Sequence, residues 1–398
     1  MRPLNFTSLA RCGRLARRGR IDTPHGSIET PEFLPVGTQA TVKALSPRDL
    51  VELEVQGLLA NTYHLYLRPG CELVEELGGL HRFMGWNRPI MTDSGGFQAF
   101  SLGAAREHGV GKIGGVFPGE RKPRADSDGP PLAKIDDDGV TFRSYIDGSV
   151  HRFTPESSIA IQAKLGADMI LAFDECTSPL ADRAYTERSL ERTHRWARRS
   201  LEAPRKPGQG LYGIVQGGAW EDLREKSTAF ITSLDFDGFA VGGSLGKTKQ
   251  DMHQVLEWTV PGLPEDRPRH LLGIGEVEDL FEGVERGIDT FDCVIPTRFA
   301  RTGNVMVTPG TAGITSRGTL NLRNARFRTL DAPIDPACSC YTCRNFSCAY
   351  LRHLIKAEEI LASQLCSLHN IHFLLEVMRK IRASLEDGTF YELKQKWV

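Results

Sequence analysis

Short apolar runs recur between residues 32 and 297, and each ends in polar or glycine residues, a pattern typical of buried strands. The eight runs are Glu32–Thr38, Gly57–His64, Pro89–Gly96, Asp168–Glu175, Gly210–Gly217, Gly238–Gly243, Arg269–Gly275 and Thr290–Thr297. Helix-like segments separate most of them, namely Pro47–Gln56, Pro155–Leu165, Asp182–Glu202, Glu221–Leu234, Lys249–Val260 and Val277–Arg286. The chain therefore alternates predicted strands with predicted helices.

This alternation predicts a parallel sheet, and eight strand–helix units are the number that closes a (β/α)8 TIM barrel. A threonine cap followed by proline, Thr154-Pro155, gives one helix a clear start. The alternative is a doubly wound open sheet. It requires a glycine-rich nucleotide-binding turn after the first strand, and none is present there.

Two regions fall outside the repeat. Residues 101–152 follow the third strand, are rich in glycine, proline and charge, and are interpreted as an insertion with a hairpin around Val140–Ile146. From residue 301 the pattern changes to short strands at Val305–Thr308 and Gly318–Leu322, a cysteine cluster, and a helix from Ala349 onward. We therefore expect a barrel with N-terminal strands over residues 1–300 and a metal-binding subdomain packed on it over residues 301–398.

Composition limits the possible partners. Lysine plus arginine (49) nearly balances aspartate plus glutamate (50), so a polyanion would have to bind at local basic patches. No run approaches the roughly 20 apolar residues that cross a membrane. The arginine-rich N-terminus continues directly into a strand-like segment, and we interpret it as mature sequence of a cytoplasmic protein.

The nine cysteines include four between Cys338 and Cys348, a distribution that favours metal binding in a reducing compartment over disulfides. Cys338-x-Cys340-x2-Cys343 brings three thiolates within six residues and predicts a structural Zn2+ site with four protein ligands. Spacing alone leaves the fourth ligand open among Cys348, His353, Cys366, His369 and His372.

Acidic and amide side chains lie at several predicted strand ends, where (β/α)8 enzymes carry their chemistry. Asp93, Asp174 and Asp292 occupy three such ends, and Gln216 occupies a fourth. One carboxylate of such a group can attack an anomeric carbon while another transfers a proton. Asp174 and Gln216 have the acceptors and donors that read a base edge, and the two arginines of Thr297–Arg301 suit phosphates.

Six motifs together resemble the bacterial tRNA-guanine transglycosylases, the queuine tRNA-ribosyltransferase family, over almost the whole chain. The motifs are NTYHL (61–65), DSGGFQ (93–98), FDEC (173–176), GIVQGG (213–218), FDCVIPTR (291–298) and the cysteine cluster. Their combination in this order is highly specific. The resemblance implies a zinc-bearing (β/α)8 barrel that works as a homodimer.

The resemblance also assigns roles. Asp292 would be the nucleophile that displaces the wobble guanine of tRNAs with GUN anticodons, and Asp93 the general acid and base. Residues implied to bind the incoming 7-deazaguanine are Ser94, Gly95, Gly96, Phe97, Asp174, Gln216 and Gly243. Residues implied to contact the anticodon loop are Gly273, Ile274, Gly275, Glu276, Val277, Glu278, Asp279, Thr297, Arg298, Phe299, Ala300 and Arg301. His369 would be the fourth ligand of one structural Zn2+ per chain.

Three departures from the family pattern concern the base pocket and the insertion. Phe97 stands where tyrosine also occurs, and the insertion around residues 103–131 is longer than the family's loop. Gly243 is followed by Ser-Leu-Gly-Lys-Thr, one residue shorter than usual. Our hypothesis is that this shorter wall admits queuine as well as, or instead of, the aminomethyl precursor.

Three rival functions remain for comparison. A zinc-dependent barrel hydrolase would need histidine ligands at the rim, where only His64 and His270 occur. A non-catalytic tRNA-binding subunit should have lost the nucleophile, yet both Asp93 and Asp292 are present. The archaeosine branch carries additional C-terminal RNA-binding domains, and we expect this chain to lie outside that branch because its sequence ends too soon for them.

Overall fold

The computed structural model describes residues 2–100 and 133–398. Eight parallel strands form a closed barrel in which the last strand pairs with the first. They are β4 (Glu32–Gly37), β5 (Leu58–Ala60), β6 (Ile90–Thr92), β10 (Met169–Leu171), β11 (Gly210–Val215), β12 (Gly238–Val241), β13 (Arg269–Leu271) and β14 (Thr290–Cys293). Each predicted apolar run contains one of them, and the predicted TIM barrel is confirmed.

Two small antiparallel sheets accompany the barrel. The first comprises β1 (Asn5–Cys12), β2 (Ala16–Thr23) and β3 (Gly26–Thr30). The second comprises β7 (Ala133–Ile135), β8 (Val140–Arg143) and β9 (Val150–Phe153), and it contains the hairpin expected near Val140. The rest of the predicted insertion, including residues 103–131, lies outside the described residues.

Helices follow the barrel strands, and most agree with the sequence prediction. They are α1 (Pro47–Glu52), α2 (Thr62–Leu67), α3 (Cys71–Glu76), α4 (Gly79–Met84), α5 (Pro155–Leu165), α6 (Arg183–Glu202), α7 (Glu221–Thr232), α8 (Lys249–Thr259), α9 (Val277–Glu285) and α10 (Ile295–Arg301). At α5 the Thr154 hydroxyl accepts from Ser157 N and the Ser157 hydroxyl accepts from Thr154 N, a reciprocal cap that fixes the predicted start.

All eight predicted strands are longer than the observed ones, and two of them continue three residues into helices. The second and eighth runs are predicted to continue to His64 and Thr297, but the chain turns into α2 at Thr62 and into α10 at Ile295. Pro296 in the first turn of α10 suits a helix start, because its missing N–H would have no partner there in any case. Because these two strands end early, Asn61 directly after β5 and Asp292 near the end of β14 lie at the barrel rim.

Apolar side chains fill the barrel, and the N-terminal sheet covers one of its ends. Leu34, Leu59 and Ile214 from barrel strands pack in one cluster with Phe6 and Ile28 from the sheet. That sheet meets the barrel at the amino ends of its strands, since Leu4 lies against Gly210 at the start of β11. The polar side chains of the candidate site lie at the opposite, carboxyl ends.

The C-terminal region packs against the barrel through one long helix. It consists of β15 (Asn304–Met306), β16 (Thr319–Asn321), α11 (Tyr341–Asn345), α12 (Cys348–Lys356), α13 (Ile360–Asp387) and α14 (Phe390–Trp397). Asn370 on α13 is fully buried; it donates to Pro296 O at 2.9 Å and accepts from Met306 N at 2.9 Å. Among the described helices, even 28-residue α13 lacks the apolar character needed to span a membrane.

Candidate active site and metal centre

Asp93 lies just beyond β6 at the barrel rim, where three donors hold its carboxylate. Thr62 N donates to Oδ1 at 2.8 Å, while the side-chain amides of Asn61 and Gln98 donate to Oδ2 at 2.5 and 2.8 Å. Burial raises the pKa of Asp93 against the opposing effect of these hydrogen bonds, and the charge of Asp292 raises it further. A carboxyl group with a raised pKa is suited to give and take a proton near neutral pH.

Asp292 is the third residue of β14 and is buried, with only 8% of its surface exposed. Its Oδ1 accepts from Gly273 N at 2.8 Å and lies 3.1 Å from His270 Nε2. The two carboxylates therefore differ in their surroundings, because Asp93 accepts at both oxygens and Asp292 at one. From the sequence, His270 is considered only as a metal ligand of a hydrolase. Its contact with Asp292 is revealed by the structure alone.

Asp174 and Gln216 meet at the carboxyl ends of neighbouring strands. The Gln216 side-chain amide donates to Asp174 Oδ2, and the Ser94 hydroxyl donates to Oδ1 at 3.3 Å. Gln216 Oε1 is buried without a hydrogen-bond partner among the described residues. A buried acceptor of this kind is costly unless a ligand supplies a donor, so the site suits a base that presents N–H groups.

Gly243 shapes the same pocket by having no side chain. Its φ of +77° is disfavoured for other residues, and a Cβ there would lie 1.8 Å from Gln216 Oε1. Gly95 (φ +78°) and Gly96 are similarly confined, with a Cβ on Gly96 meeting Asp174 O at 2.9 Å. The glycines thus let the backbone approach the polar edge of the pocket, while Phe97 lies half-buried beside them.

Arg224 on α7 supports this pocket from behind and has no recognisable signal in the sequence. Its guanidinium is fully buried and donates to Gly218 O at 2.7 Å, Val215 O at 2.9 Å, Gly242 O at 3.1 Å and Ser244 O at 2.8 Å. The bonds tie together the loops that follow β11 and β12. Burial lowers the pKa of Arg224 to about 9, which leaves the side chain charged at neutral pH.

The segment Gly273–Asp279, expected to contact RNA, contains both buried and exposed residues. Gly273 touches Asp292, and Ile274, Gly275 and Asp279 are buried, while Glu278 is exposed. Lys249 bridges Glu276 at 3.1 Å, Glu278 at 2.7 Å and Asp279 at 3.0 Å. The lysine neutralises part of this acidic cluster beside the rim.

The second expected RNA-contact segment, Thr297–Arg301, lies on α10 with three side chains buried. Thr297, Phe299 and Ala300 have 6% or less of their surface exposed, because this face of the helix packs on α13. Arg301 is exposed and Arg298 partly so. Within Thr297–Arg301, the side chains accessible to an RNA are therefore those of Arg298 and Arg301.

Three cysteines and one histidine converge in the C-terminal region. The Nδ1 atom of His369 lies 3.7, 3.5 and 3.3 Å from the sulfurs of Cys338, Cys340 and Cys343. The other ring nitrogen donates to Met306 O at 2.7 Å, which leaves Nδ1 with its lone pair toward the sulfurs. These four residues can hold a metal ion, and Cys348, His353, Cys366 and His372 are not in the group.

A second group of possible ligands, His25, His81 and Asp168, lies at the amino ends of the strands. The two imidazoles stack with centroids 3.6 Å apart and an interplanar angle of 15°. Each contacts a different oxygen of Asp168, at 2.6 and 3.1 Å. The two imidazoles thus share one buried carboxylate, and the three residues lie close enough together to hold a metal ion.

The fold and site define a TIM-barrel enzyme with three rim aspartates, a polar pocket around Asp174 and Gln216, and a separate Cys3His cluster. A family model described as queuine tRNA-ribosyltransferase matches residues 12–113 and 125–398. The chain is 51% identical to a putative queuine tRNA-ribosyltransferase of Archaeoglobus fulgidus, covering 100% of this chain and 99% of that protein. It is 51% identical to the queuine tRNA-ribosyltransferase of Symbiobacterium thermophilum over 96% of this chain and 88% of that protein. The corresponding enzyme of Herpetosiphon aurantiacus is 48% identical, over 99% and 92%.

The chain belongs to the queuine tRNA-ribosyltransferase family and is a pentosyltransferase. This membership confirms the resemblance found in the sequence motifs. Membership in this family also excludes the alternative of a zinc-dependent barrel hydrolase.

Proposed function

We propose that this enzyme exchanges the wobble guanine of tRNAs with GUN anticodons for a 7-deazaguanine through a covalent ribosyl–aspartate intermediate. Asp292 attacks C1′ of the ribose as the C1′–N9 bond breaks, and the departing guanine takes a proton from Asp93. The incoming base then returns a proton to Asp93 as it displaces Asp292. Either the aminomethyl precursor or queuine is the incoming base.

The arrangement of Asp174 and Gln216 is the observation that carries this proposal. The carboxylate of Asp174 accepts hydrogen bonds, and Gln216 Oε1 is a second buried acceptor with no partner among the described residues. Guanine and its 7-deaza analogues share an N1–H and a 2-amino group, donors that such acceptors can bind. Because Gly243 has no side chain, Gln216 Oε1 can lie where a Cβ would otherwise be.

The positions of the residues that follow Gly243 do not favour either of the two bases. Ser244 and Leu245 are buried, the Ser244 carbonyl is bound by Arg224, and Lys247 is exposed. The kcat/KM values for the aminomethyl precursor and queuine, measured with one tRNA, decide the point. A thousandfold preference for the precursor would reject our hypothesis that the shorter wall admits queuine.

We propose Zn2+ as the metal of the Cys338, Cys340, Cys343 and His369 cluster. Tetrahedral zinc with Zn–S near 2.3 Å and Zn–N near 2.05 Å places each sulfur about 3.6 Å from the nitrogen. The observed separations of 3.3 to 3.7 Å fit that value. With four protein ligands the ion would hold α11 against α13 and leave no position for a reacting water.

The partners proposed are tRNA and a second copy of this chain. Arg298 and Arg301 at the rim supply charge for anticodon-loop phosphates. In the C-terminal region, large apolar side chains are exposed, with Tyr341, Ile360 and Leu330 showing 58%, 84% and 41% of their surfaces. Exposed large apolar side chains in this region favour its burial in a homodimer interface.

The test is incorporation of labelled guanine into unmodified tRNA with a GUN anticodon by the purified protein. We expect incorporation by the wild type and a loss of roughly three orders of magnitude or more in Asp292→Asn. Asparagine still offers an oxygen to Gly273 N, so the variant should keep the fold. A tRNA–protein adduct resistant to denaturation should form with wild type alone.

The remaining controls separate the steps. Asp93→Asn should slow exchange while leaving binding of free guanine intact, since the base contacts Asp174 and Gln216. Incorporation that persists in Asp292→Asn would contradict the covalent mechanism. No incorporation by folded, metal-loaded wild type would contradict the proposed reaction.

A further inference from the structure

A histidine lies inside the barrel directly beside the proposed nucleophile. His270 on β13 is fully buried and pairs in register with Thr290 on β14. Its Nδ1 lies 2.9 Å from Thr290 Oγ1, and its Nε2 lies 3.1 Å from Asp292 Oδ1. Because side chains alternate along a strand, Thr290 and Asp292 share the face of β14 that this imidazole contacts.

The partners of His270 determine which ring nitrogen carries the proton. An ionised carboxylate only accepts hydrogen bonds, so Nε2 must bear the hydrogen that points to Asp292. In the neutral ring Nδ1 is then an acceptor, and the Thr290 hydroxyl donates to it. Thr290, His270 and Asp292 thus form a directed chain of hydrogen bonds that ends on the reactive carboxylate.

This chain makes the two oxygens of Asp292 unequal. Oδ1 accepts from His270 Nε2 and from Gly273 N, whereas the described residues supply no hydrogen bond to Oδ2. Two donors on Oδ1 fix the plane of the carboxylate and engage the lone pairs of that oxygen. Oδ2 keeps its lone pairs for a bond to carbon.

We propose that His270 is a positioning residue that holds Oδ1 of Asp292 so that Oδ2 is the atom that attacks the ribose. The inference rests on the proposed function. In the step concerned, the Oδ2–C1′ bond forms while the C1′–N9 bond breaks. The electron pair of the broken bond leaves with guanine, which takes its proton from Asp93, and His270 keeps its own proton throughout.

The experiment compares three substitutions that differ in where they place a donor. In His270→Gln the side-chain amide reaches the position of Nε2 and can still donate to Asp292. His270→Asn ends near the position of Nδ1, faces Thr290, and has no donor at Asp292. His270→Phe keeps a flat ring without either nitrogen.

We measure kcat and KM for guanine exchange, the single-turnover rate of adduct formation without an incoming base, and equilibrium binding of labelled guanine. His270→Asn and His270→Phe should lower kcat and the adduct rate about ten- to hundredfold, the usual effect of losing a hydrogen bond to a charged group. Guanine KM and binding should change less than about threefold, because Asp174 and Gln216 are intact. His270→Gln should retain most of the wild-type rate.

Two results would overturn the positioning role: wild-type adduct rates in folded His270→Phe or His270→Asn, or equal losses in the glutamine and asparagine variants. If His270→Phe fails to fold, the Gln and Asn pair still decides the question. Failure of the proposed function gives a different result, because wild type itself would then form no adduct.

Discussion

Replacing Arg224 with methionine tests whether one buried cation holds the pocket loops together. Methionine roughly keeps the length and volume of the alkyl chain and removes all the donors. Val215 O keeps a partner, because it also accepts from Gly242 N at 3.1 Å. The carbonyls of Gly218, Gly242 and Ser244 lose their only hydrogen bond from the described residues.

The expected magnitude follows from two opposing terms. A buried carbonyl left without a donor costs about 1–3 kcal/mol, which gives roughly 3–9 kcal/mol for three of them. Removing a fully buried charge regains part of this sum, since that charge is desolvated and no carboxylate is hydrogen-bonded to it among the described residues. We therefore expect Arg224→Met to lower the free energy of unfolding by roughly 3–5 kcal/mol, a large share of the usual total.

Urea unfolding measures the effect, with the midpoint compared at constant slope. Lys226→Met is the matched control on the same helix, because its ion pair with Glu191 is exposed and worth at most about 1 kcal/mol. Arg224→Lys keeps the charge with a single donor group and should fall between the wild type and Arg224→Met. Since the loops carry Gln216 and Gly243, guanine KM should rise in Arg224→Met.

A loss below about 1 kcal/mol in Arg224→Met would refute this reasoning, since the loop carbonyls would then find other partners. A large loss of stability with unchanged guanine KM would refute the link to the pocket and leave Arg224 a purely structural residue.

Two further predictions concern the metal cluster and pH. Cys340→Ser should lower bound zinc, measured by atomic emission, and reduce stability by several kcal/mol, whereas Cys348→Ser, outside the cluster, should keep one zinc per chain. A normal zinc content in Cys340→Ser would contradict the ligand assignment. Burial lowers the pKa of His194 to about 4, so between pH 6.5 and 4 the unfolded chain binds a proton that the native state does not. Wild type should therefore lose about 3 kcal/mol over this window relative to His194→Phe, and parallel pH profiles from urea unfolding would show the reasoning to be wrong.

The barrel is predictable because buried parallel strands are marked by apolar runs, and Thr154-Pro155 marks a helix by its cap chemistry. The strand ends are less predictable. Thr62, Tyr63 and Ile295 favour strands by intrinsic propensity, yet they lie in helices, because packing overrides such preferences. Boundaries set by tertiary packing leave little trace in the local pattern.

The candidate site likewise contains some residues that the sequence pattern predicts and others that it does not. Asp93, Asp292 and Gln216 each end an apolar run, so the strand pattern alone is enough to locate them at the rim. His270 contacts Asp292, which is 22 residues further along the chain, and Arg224 contacts Gly242 and Ser244, which are 18 and 20 residues further. Such partners depend on strand register and helix docking, which a single sequence does not specify.

Asp93 and Asp292, two of the three rim aspartates, show how surroundings distinguish identical side chains. Asp93 accepts three hydrogen bonds spread over both oxygens and has a raised pKa, surroundings that suit proton exchange and disfavour attack on carbon. Asp292 accepts two on a single oxygen. The distribution of donors therefore favours acid–base work for Asp93 and nucleophilic attack for Asp292 independently of the motifs that surround them. Exchanging the proposed roles would require moving donors on β13, α2 and the Gln98 segment, which no single substitution achieves.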